Sequence, residues 1–248
     1  YNHHKPITSS ERFVGREDII EDLEYSLGLA NSSNPQYINI GITGKEGAGK
    51  TSLSYILEEK AEETNFQPIR IKIDESFVKN EVKFFERLYQ RIASEVGGNT
   101  EEGFLKAIAG KIDQVELDLK FVRAYMNTDS DSKVDVSGRI IESDLEDFSD
   151  KIESKSIIIV IDNSQHLSAN PVLLQKLNNI FEDIDNYVLS LVGTEEMFSD
   201  IENAFSPTAR MFEKFRLQPF NSQGKTAGCI LRPLESVKHP PMISERAV

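Results

Sequence analysis

The sequence predicts an α/β fold built on a mostly parallel sheet, and three observations carry that prediction. Along the 248 residues, segments with strand-like alternation take turns with segments of helical periodicity, the order that gives a parallel sheet covered by helices. The run "IIIVI" (157–161) is apolar throughout, the mark of a strand buried on both faces. The stretch "GKEGAGKT" (44–51) puts three glycines and an alanine between one such strand and one such helix.

The elements follow in order. Residues 16–29 place Ile19, Ile20, Leu23 and Leu27 at helical spacing. "ANSSNPQ" has loop composition, and "YINIGIT" alternates Ile38, Ile40 and Ile42 as a strand does. From Lys50 to Glu63 a helix carries Leu53, Ile56, Leu57 and Ala61 on one face. In "PIRIKID", Ile69, Ile71 and Ile73 alternate with Arg70 and Lys72. Outward charges of this kind suit a strand at a sheet edge. Asn80 is placed to cap a helix reaching Val96, with the stripe Val82, Phe85, Tyr89, Ile92 and Val96. "GGNTEEG" breaks it, and a second helix covers Phe104 to Ile112.

"VELDLKFVRAYM" and "SKVDVSGRII" alternate on either side of the turn-rich "NTDSD" and predict an inserted β-hairpin at about 115–141. "ESDLEDFSDKIE" sets Leu145, Phe148 and Ile152 on one helical face beneath a solvated acidic one. Beyond "IIIVI", Asn170 and Pro171 stand at the cap and first turn of a helix through Phe181. "YVLSLVG" is the next strand, "EEMFSDIENAF" a short helix and "FRLQPF" the last strand. "NSQGKTAGCILRPLE" starts another helix. The expected organisation is a tail or disordered segment at 1–10, a core at 11–220, and the start of a helical lid with a C-terminal tail at 221–248.

Composition limits what the chain does. Hydrophobic residues make up 39% and charged residues 28%, the balance of a globular and not a disordered chain. A net charge of −13 argues against binding nucleic acid through the overall field, although a local basic patch would remain possible. The one cysteine, Cys229, precludes a disulfide within the chain and points to a reducing, cytoplasmic setting. No apolar run approaches the ~20 residues that span a bilayer, and the polar start "YNHHKPITSSERF" has no signal-peptide core. Without an initiator methionine the chain reads as a fragment, and His3 and His4 as tag or tail residues.

The chemistry begins at Gly44. Four residues separate it from Gly49, Lys50 and Thr51, the spacing G-x-x-x-x-G-K-[ST] of the P-loop. Triphosphate oxygens need several backbone N–H groups converging on them. Only a loop of small residues brings the backbone that close, hence Gly44, Gly47, Ala48 and Gly49. The following helix offers its unpaired N–H groups and positive dipole end, Ser52 included. Lys50 neutralises the outer phosphates, and the Thr51 hydroxyl ligates Mg²⁺. Strand before and helix after favour this match over a chance glycine turn with a solvated lysine, and predict a P-loop NTPase, a three-layer sandwich that binds ATP with Mg²⁺. Asp162, ending "IIIVI", stands where such proteins keep the carboxylate of the Mg²⁺ shell. As a turn cap after a core strand it would serve structure alone.

Taken together, "ERFVGRED", "GKEGAGKT", "IDNSQHL", "LVGTEEM" and "ARMFEKFRLQPF", in this order, resemble the ATPase core of the AAA+ superfamily over residues 11 to 234. The resemblance is to the prokaryotic branch with origin-recognition-type initiators, transposition and secretion ATPases of the TniB/ExeA kind, and STAND signalling ATPases. It implies that Phe13, Val14, Gly15 and Arg16 lead into the site near the adenine, and that Asp162 belongs to the Mg²⁺ shell. It implies that Thr194 is a polar sensor near the γ-phosphate, and Arg210 an arginine finger reaching a neighbouring subunit's nucleotide. Phe13 and Val14 also suit a helix staple, Thr194 a helix cap, and Arg210 a surface position with Arg216 as its competitor. Gln165 and His166 would orient loops.

One departure from the family pattern bears on rate. Where the family has Asp-Glu, this chain has Asp162-Asn163. Asparagine positions a water but takes no proton from it, so hydrolysis is expected to be slow unless Glu195 or Glu196 substitutes. Slow turnover suits an ATP-dependent switch controlling assembly on DNA or a protein, with ATP or ADP bound and ATP favouring a homo-oligomer. The alternatives are a regulatory module that binds nucleotide without hydrolysis and a regulator of replication initiation or transposition.

Overall fold

A computed structural model of the chain describes residues 5–32, 38–97, 141, 142, 144–146, 149 and 156–220. The expected helix at 104–112, the hairpin up to residue 140 and the helix starting near Asn221 lie outside them. Ile141, the last residue of the expected hairpin, is helical and buried. The strand reading fails there because Ile141 and Leu145, four apart, share one helix face and both enter the core.

Five strands form one sheet: β1 (Asn39–Gly44), β2 (Phe66–Lys72), β3 (Ser156–Asp162), β4 (Tyr187–Gly193) and β5 (Phe212–Leu217). The order is β2-β3-β4-β1-β5 and every pairing is parallel. Burial follows that order. All residues of β1, β3 and β4 are buried, as interior strands covered on both faces must be. The edge strands alternate, with Lys72 exposed on β2 and Glu213, Lys214 and Arg216 exposed on β5. β5 starts three residues before the expected "FRLQPF", because it pairs along all of β1, from Asn39 opposite Phe212 to Gly44 opposite Leu217.

Helices cover both faces. On one, α1 (Glu17–Ala30) and α2 (Lys50–Glu63) bury Leu23, Leu27, Leu53, Ile56 and Leu57 against β1 and its neighbours. A short helix, α3 (Glu75–Val78), follows β2, and α4 (Glu81–Gly97) crosses the other face with α5 (Pro171–Asp183) and α6 (Met197–Arg210). The apolar face of α4 is wider than the expected stripe, since Phe84 and Leu88 are buried beside Phe85, Tyr89 and Ile92. This gives the three layers predicted from the sequence.

The helix starts obey local chemistry. The Asn170 carbonyl oxygen Oδ1 accepts from Leu173 N at 3.1 Å with Pro171 in the first turn, and Asn80 Oδ1 accepts from Lys83 N at 3.1 Å. α6 runs five residues past the expected "EEMFSDIENAF", across a kink at Phe205 (φ −156°, ψ 93°). Pro207 causes the break: it has no N–H for the carbonyl of Asn203, and its ring crowds that carbonyl.

Candidate functional site

The loop from β1 to α2 needs its glycines. Gly47 and Gly49 have φ of 76° and 94°, a region that costs side-chain-bearing residues conformational energy. At Gly44 a Cβ would lie 2.8 Å from the Leu217 carbonyl oxygen, so β5 passes too close for any other residue. Lys50 Nζ donates to the Lys45 carbonyl at 2.8 Å, folding the ammonium over the loop. Partial burial lowers the Lys50 pKa, while the charges of Glu46 and Asp162 oppose that shift.

Beside the loop opens a cavity of about 680 Å³, where the carboxyl ends of β1, β3 and β4 converge. Lys50, Thr51 and Ser52 line it from α2, Asp162 and Asn163 from the end of β3, and Thr194 from the end of β4. The topology therefore brings together residues more than 140 positions apart. Gly47 and Gly49 also line it; Gly44 and Ala48 shape the loop behind.

Asp162 is 8% exposed. Its Oδ1 accepts from the Asn163 N–H at 3.0 Å, and its Oδ2 lies 3.8 Å from Arg70 Nη1. Asn163 takes the left-handed conformation (φ 65°), and its Nδ2 donates to the Ile73 carbonyl at 3.4 Å. Gln165 Oε1 is buried beside Gly193 and has no hydrogen-bond partner among the described residues. The Thr194 carbonyl accepts from Met197 N at 3.2 Å, while Glu196 occupies the cap position of α6 without a side-chain cap bond. Thr194 starts the helix through its backbone carbonyl.

The segment expected near the adenine adjoins the P-loop at Phe13. Phe13 is buried beside Gly49. Val14 and Arg16 are outside the cavity lining. The buried guanidinium of Arg16 donates to the Gln218 carbonyl and stands 4.3 Å over the Phe220 ring. Lys5 and Pro6 line the cavity instead. Ile7 N donates to Ser52 Oγ at 3.0 Å, and Ser10 donates to Glu59 through N at 2.7 Å and Oγ at 3.0 Å. Part of the expected tail thus lies on α2. The only sequence signal for this was the pair Pro6-Ile7 in a polar stretch.

The two arginine candidates sit at opposite ends of the sheet. Arg216, opposite Thr43, is at the P-loop end and pairs with Glu195. Arg210 is exposed, donates to Ser206 Oγ at 3.3 Å, and borders a separate cavity of about 380 Å³ with Asn39 and Asn178. Asn39 begins β1, so Arg210 lies at the end remote from its own P-loop. The sequence reading also missed Arg70, which reaches Asp162 from the edge strand.

Comparison with known proteins agrees with this architecture. Residues 16–206 match the KAP family P-loop domain. The Aeropyrum pernix ORC2 protein in its ADP form superposes with a TM-score of 0.61 at 14% identity, covering 93% of this chain and 55% of that one. The Aeropyrum pernix ORC1 protein in complex with DNA gives 0.53 at 15% identity, covering 90% and 50%. ORC2 in its ADPNP-ADP complexes gives 0.55 at 13% identity, covering 93% and 57%. The chain spans about half the length of these structures, and at such identities the likeness is one of fold. No curated protein sequence gives a significant match. Among the described residues no helix is long and apolar enough to cross a membrane. With the family match extending over most of the chain, the chain belongs to the KAP family of P-loop domains, and it shares its fold with the two ORC proteins.

Proposed function

We propose that the chain binds Mg²⁺-ATP, turns it over slowly, and uses the difference between its ATP and ADP states to control assembly on a protein or DNA partner. The observation that carries this reading is the shared cavity, with Lys50, Thr51, Asp162, Asn163 and Thr194 on its walls. Loop and helix N–H groups would hold the phosphates, and Lys50 would leave the Lys45 carbonyl for their outer oxygens. Thr51 and Asp162 fit a Mg²⁺ site of the usual kind, with few protein oxygens and the rest from phosphate and water. The bound ion would screen charge between the β- and γ-phosphates. Thr194 would sense the γ-phosphate, and Arg210 would act on a neighbouring chain's nucleotide in a homo-oligomer. A cytoplasmic setting suits the single cysteine.

A second reading is a nucleotide-binding regulatory module without turnover. It is favoured by Asn163, which offers no base at the strand end, and by Glu195, whose carboxylate is engaged by Arg216. DNA binding by this segment alone is the least supported reading, given the net charge of −13.

Calorimetry with ATP and Mg²⁺ tests the core of the proposal. The chain is expected to bind ATP, and Lys50→Ala to lose most of that affinity with its fold retained. Equal affinity in the two proteins would overturn the assignment.

A further inference from the structure

We infer that Arg70 is a positioning residue for the divalent-cation site: its guanidinium, anchored on α2, holds the Asp162 carboxylate in the orientation that meets the cation. This inference rests on the nucleotide reading above and concerns how the two cation ligands are held relative to one another.

An arginine on an edge strand is ordinarily solvated, and this one is not. The Arg70 side chain is 16% exposed, and α2 grips it on three sides. Nε donates to Glu58 Oε1 at 2.7 Å, Nη2 donates to Ser54 Oγ at 2.8 Å, and the group stacks 4.0 Å from the centre of the Tyr55 ring. The strand beneath is fixed too, since the Arg70 carbonyl accepts from Arg91 Nε of α4 at 3.1 Å. With its fork held on α2, Arg70 can turn only one nitrogen elsewhere. That nitrogen, Nη1, is buried, makes no hydrogen bond among the described residues, and points to Asp162 Oδ2 at 3.8 Å.

The same grip leads back to the other cation ligand. Ser54 Oγ, which receives Arg70 Nη2, itself donates to the Thr51 carbonyl at 2.8 Å. A continuous path therefore runs from Thr51 through Ser54 and Arg70 to Asp162. The other oxygen of Asp162 is fixed by the Asn163 N–H. Glu58 offsets part of the guanidinium charge at 2.7 Å. What Arg70 adds is a planar cation whose place is set by α2, 3.8 Å from Oδ2 at ion-pair and not hydrogen-bond distance, towards which the carboxylate turns. Partners that orient metal ligands in this way typically contribute 10–100-fold to metal affinity.

The test is a Mg²⁺ titration of ATP binding, begun in chelator and followed by the fluorescence of a labelled ATP. Arg70→Met removes the fork and keeps the apolar stem. Metal-free ATP affinity is expected to stay within about twofold of wild type, the scatter of independent sites. The Mg²⁺ concentration at half-effect is expected to rise about tenfold or more. In an Asp162→Asn background the same substitution should add nothing. Arg70→Lys keeps the charge without the fork and should resemble Arg70→Met; it also serves as the test variant if Arg70→Met fails to fold. A Mg²⁺ midpoint that is unchanged or lower overturns the inference. So does an equal loss in the Asp162→Asn background or without metal, since either marks damage to α2 and not to Asp162. Wild-type ATP binding that ignores Mg²⁺ removes the cation role of Asp162 and this inference with it, leaving the Lys50 result standing.

Discussion

The ring of Phe198 fills the space that a side chain at Gly41 would take. A Cβ at position 41 would lie 2.2 Å from Cζ and 2.4 Å from Cε2 of that ring. Phe198 cannot easily retreat, because Phe212 packs against it at 5.4 Å between ring centres and Lys214 Nζ stands 4.8 Å over its face. The contact docks α6 directly on the backbone of β1, the strand that delivers the P-loop.

Gly41→Ala is therefore expected to destabilise the fold by about 1–3 kcal/mol, the usual cost of overpacking. Urea denaturation checks it: the midpoint should fall with the slope unchanged. Gly28→Ala is the control. Position 28 is an exposed helical site with nothing within 4 Å of the added Cβ, so alanine there should add about 0.8–1 kcal/mol. An unchanged midpoint for Gly41→Ala would mean that α6 shifts freely on the sheet.

Much of this architecture was legible in the residues themselves. "IIIVI" announced a strand buried on both faces, and Asn170-Pro171 announced the start of α5, because those signals are local. The P-loop was legible for the same reason, since Gly47 and Gly49 answer to their own backbone angles. Arg70 was not. Alternation in "PIRIKID" says that Arg70 faces away from Ile69 and Ile71, but not that α2 covers that face with Ser54, Tyr55 and Glu58. The placement of Arg16 and Lys5 was hidden similarly, because it depends on where the chain returns after β5 and on how the N-terminal segment crosses α2. The end of α6 was misjudged because the chain resumes helical turns after the kink at Phe205.

Asn163 carries the prediction about rate. Its left-handed backbone suits asparagine, and its amide reaches the Ile73 carbonyl without offering a base. Asn163→Glu should supply one beside the attacking water and raise turnover by about 10²–10⁴-fold. The same change should cost stability of about 1–2 kcal/mol through the left-handed conformation. Phosphate release at saturating Mg²⁺-ATP checks the first effect and a urea melt the second. Glu195→Gln should leave the slow wild-type rate nearly unchanged, since that carboxylate is already engaged by Arg216. Wild-type turnover near 10 s⁻¹, the median for ordinary enzymes, would show that another group is the base.

Arg210 carries the prediction about association. It lies near Asn39 at the start of β1, while Lys50 follows the end of β1, so the two groups flank opposite ends of the sheet. Within one chain Arg210 cannot meet the nucleotide it is proposed to serve; the contact requires a second chain. The γ-phosphate would give that arginine a partner which ADP lacks, so ATP is expected to favour homo-oligomers. Arg210→Ala should weaken ATP-dependent association and turnover together, while ATP binding to the monomer survives. Arginine fingers contribute about 10³–10⁵ in turnover where they act, so even partial engagement would be measurable. Arg216→Ala is the control. Its side chain is 56% exposed and its pairing with Glu195 lies at the surface, where such pairs contribute about 0–1 kcal/mol, and it should leave association intact. Light scattering across an ATP titration decides between them. A chain that stays monomeric with saturating ATP at high concentration would leave Arg210 a surface residue and favour the regulatory module.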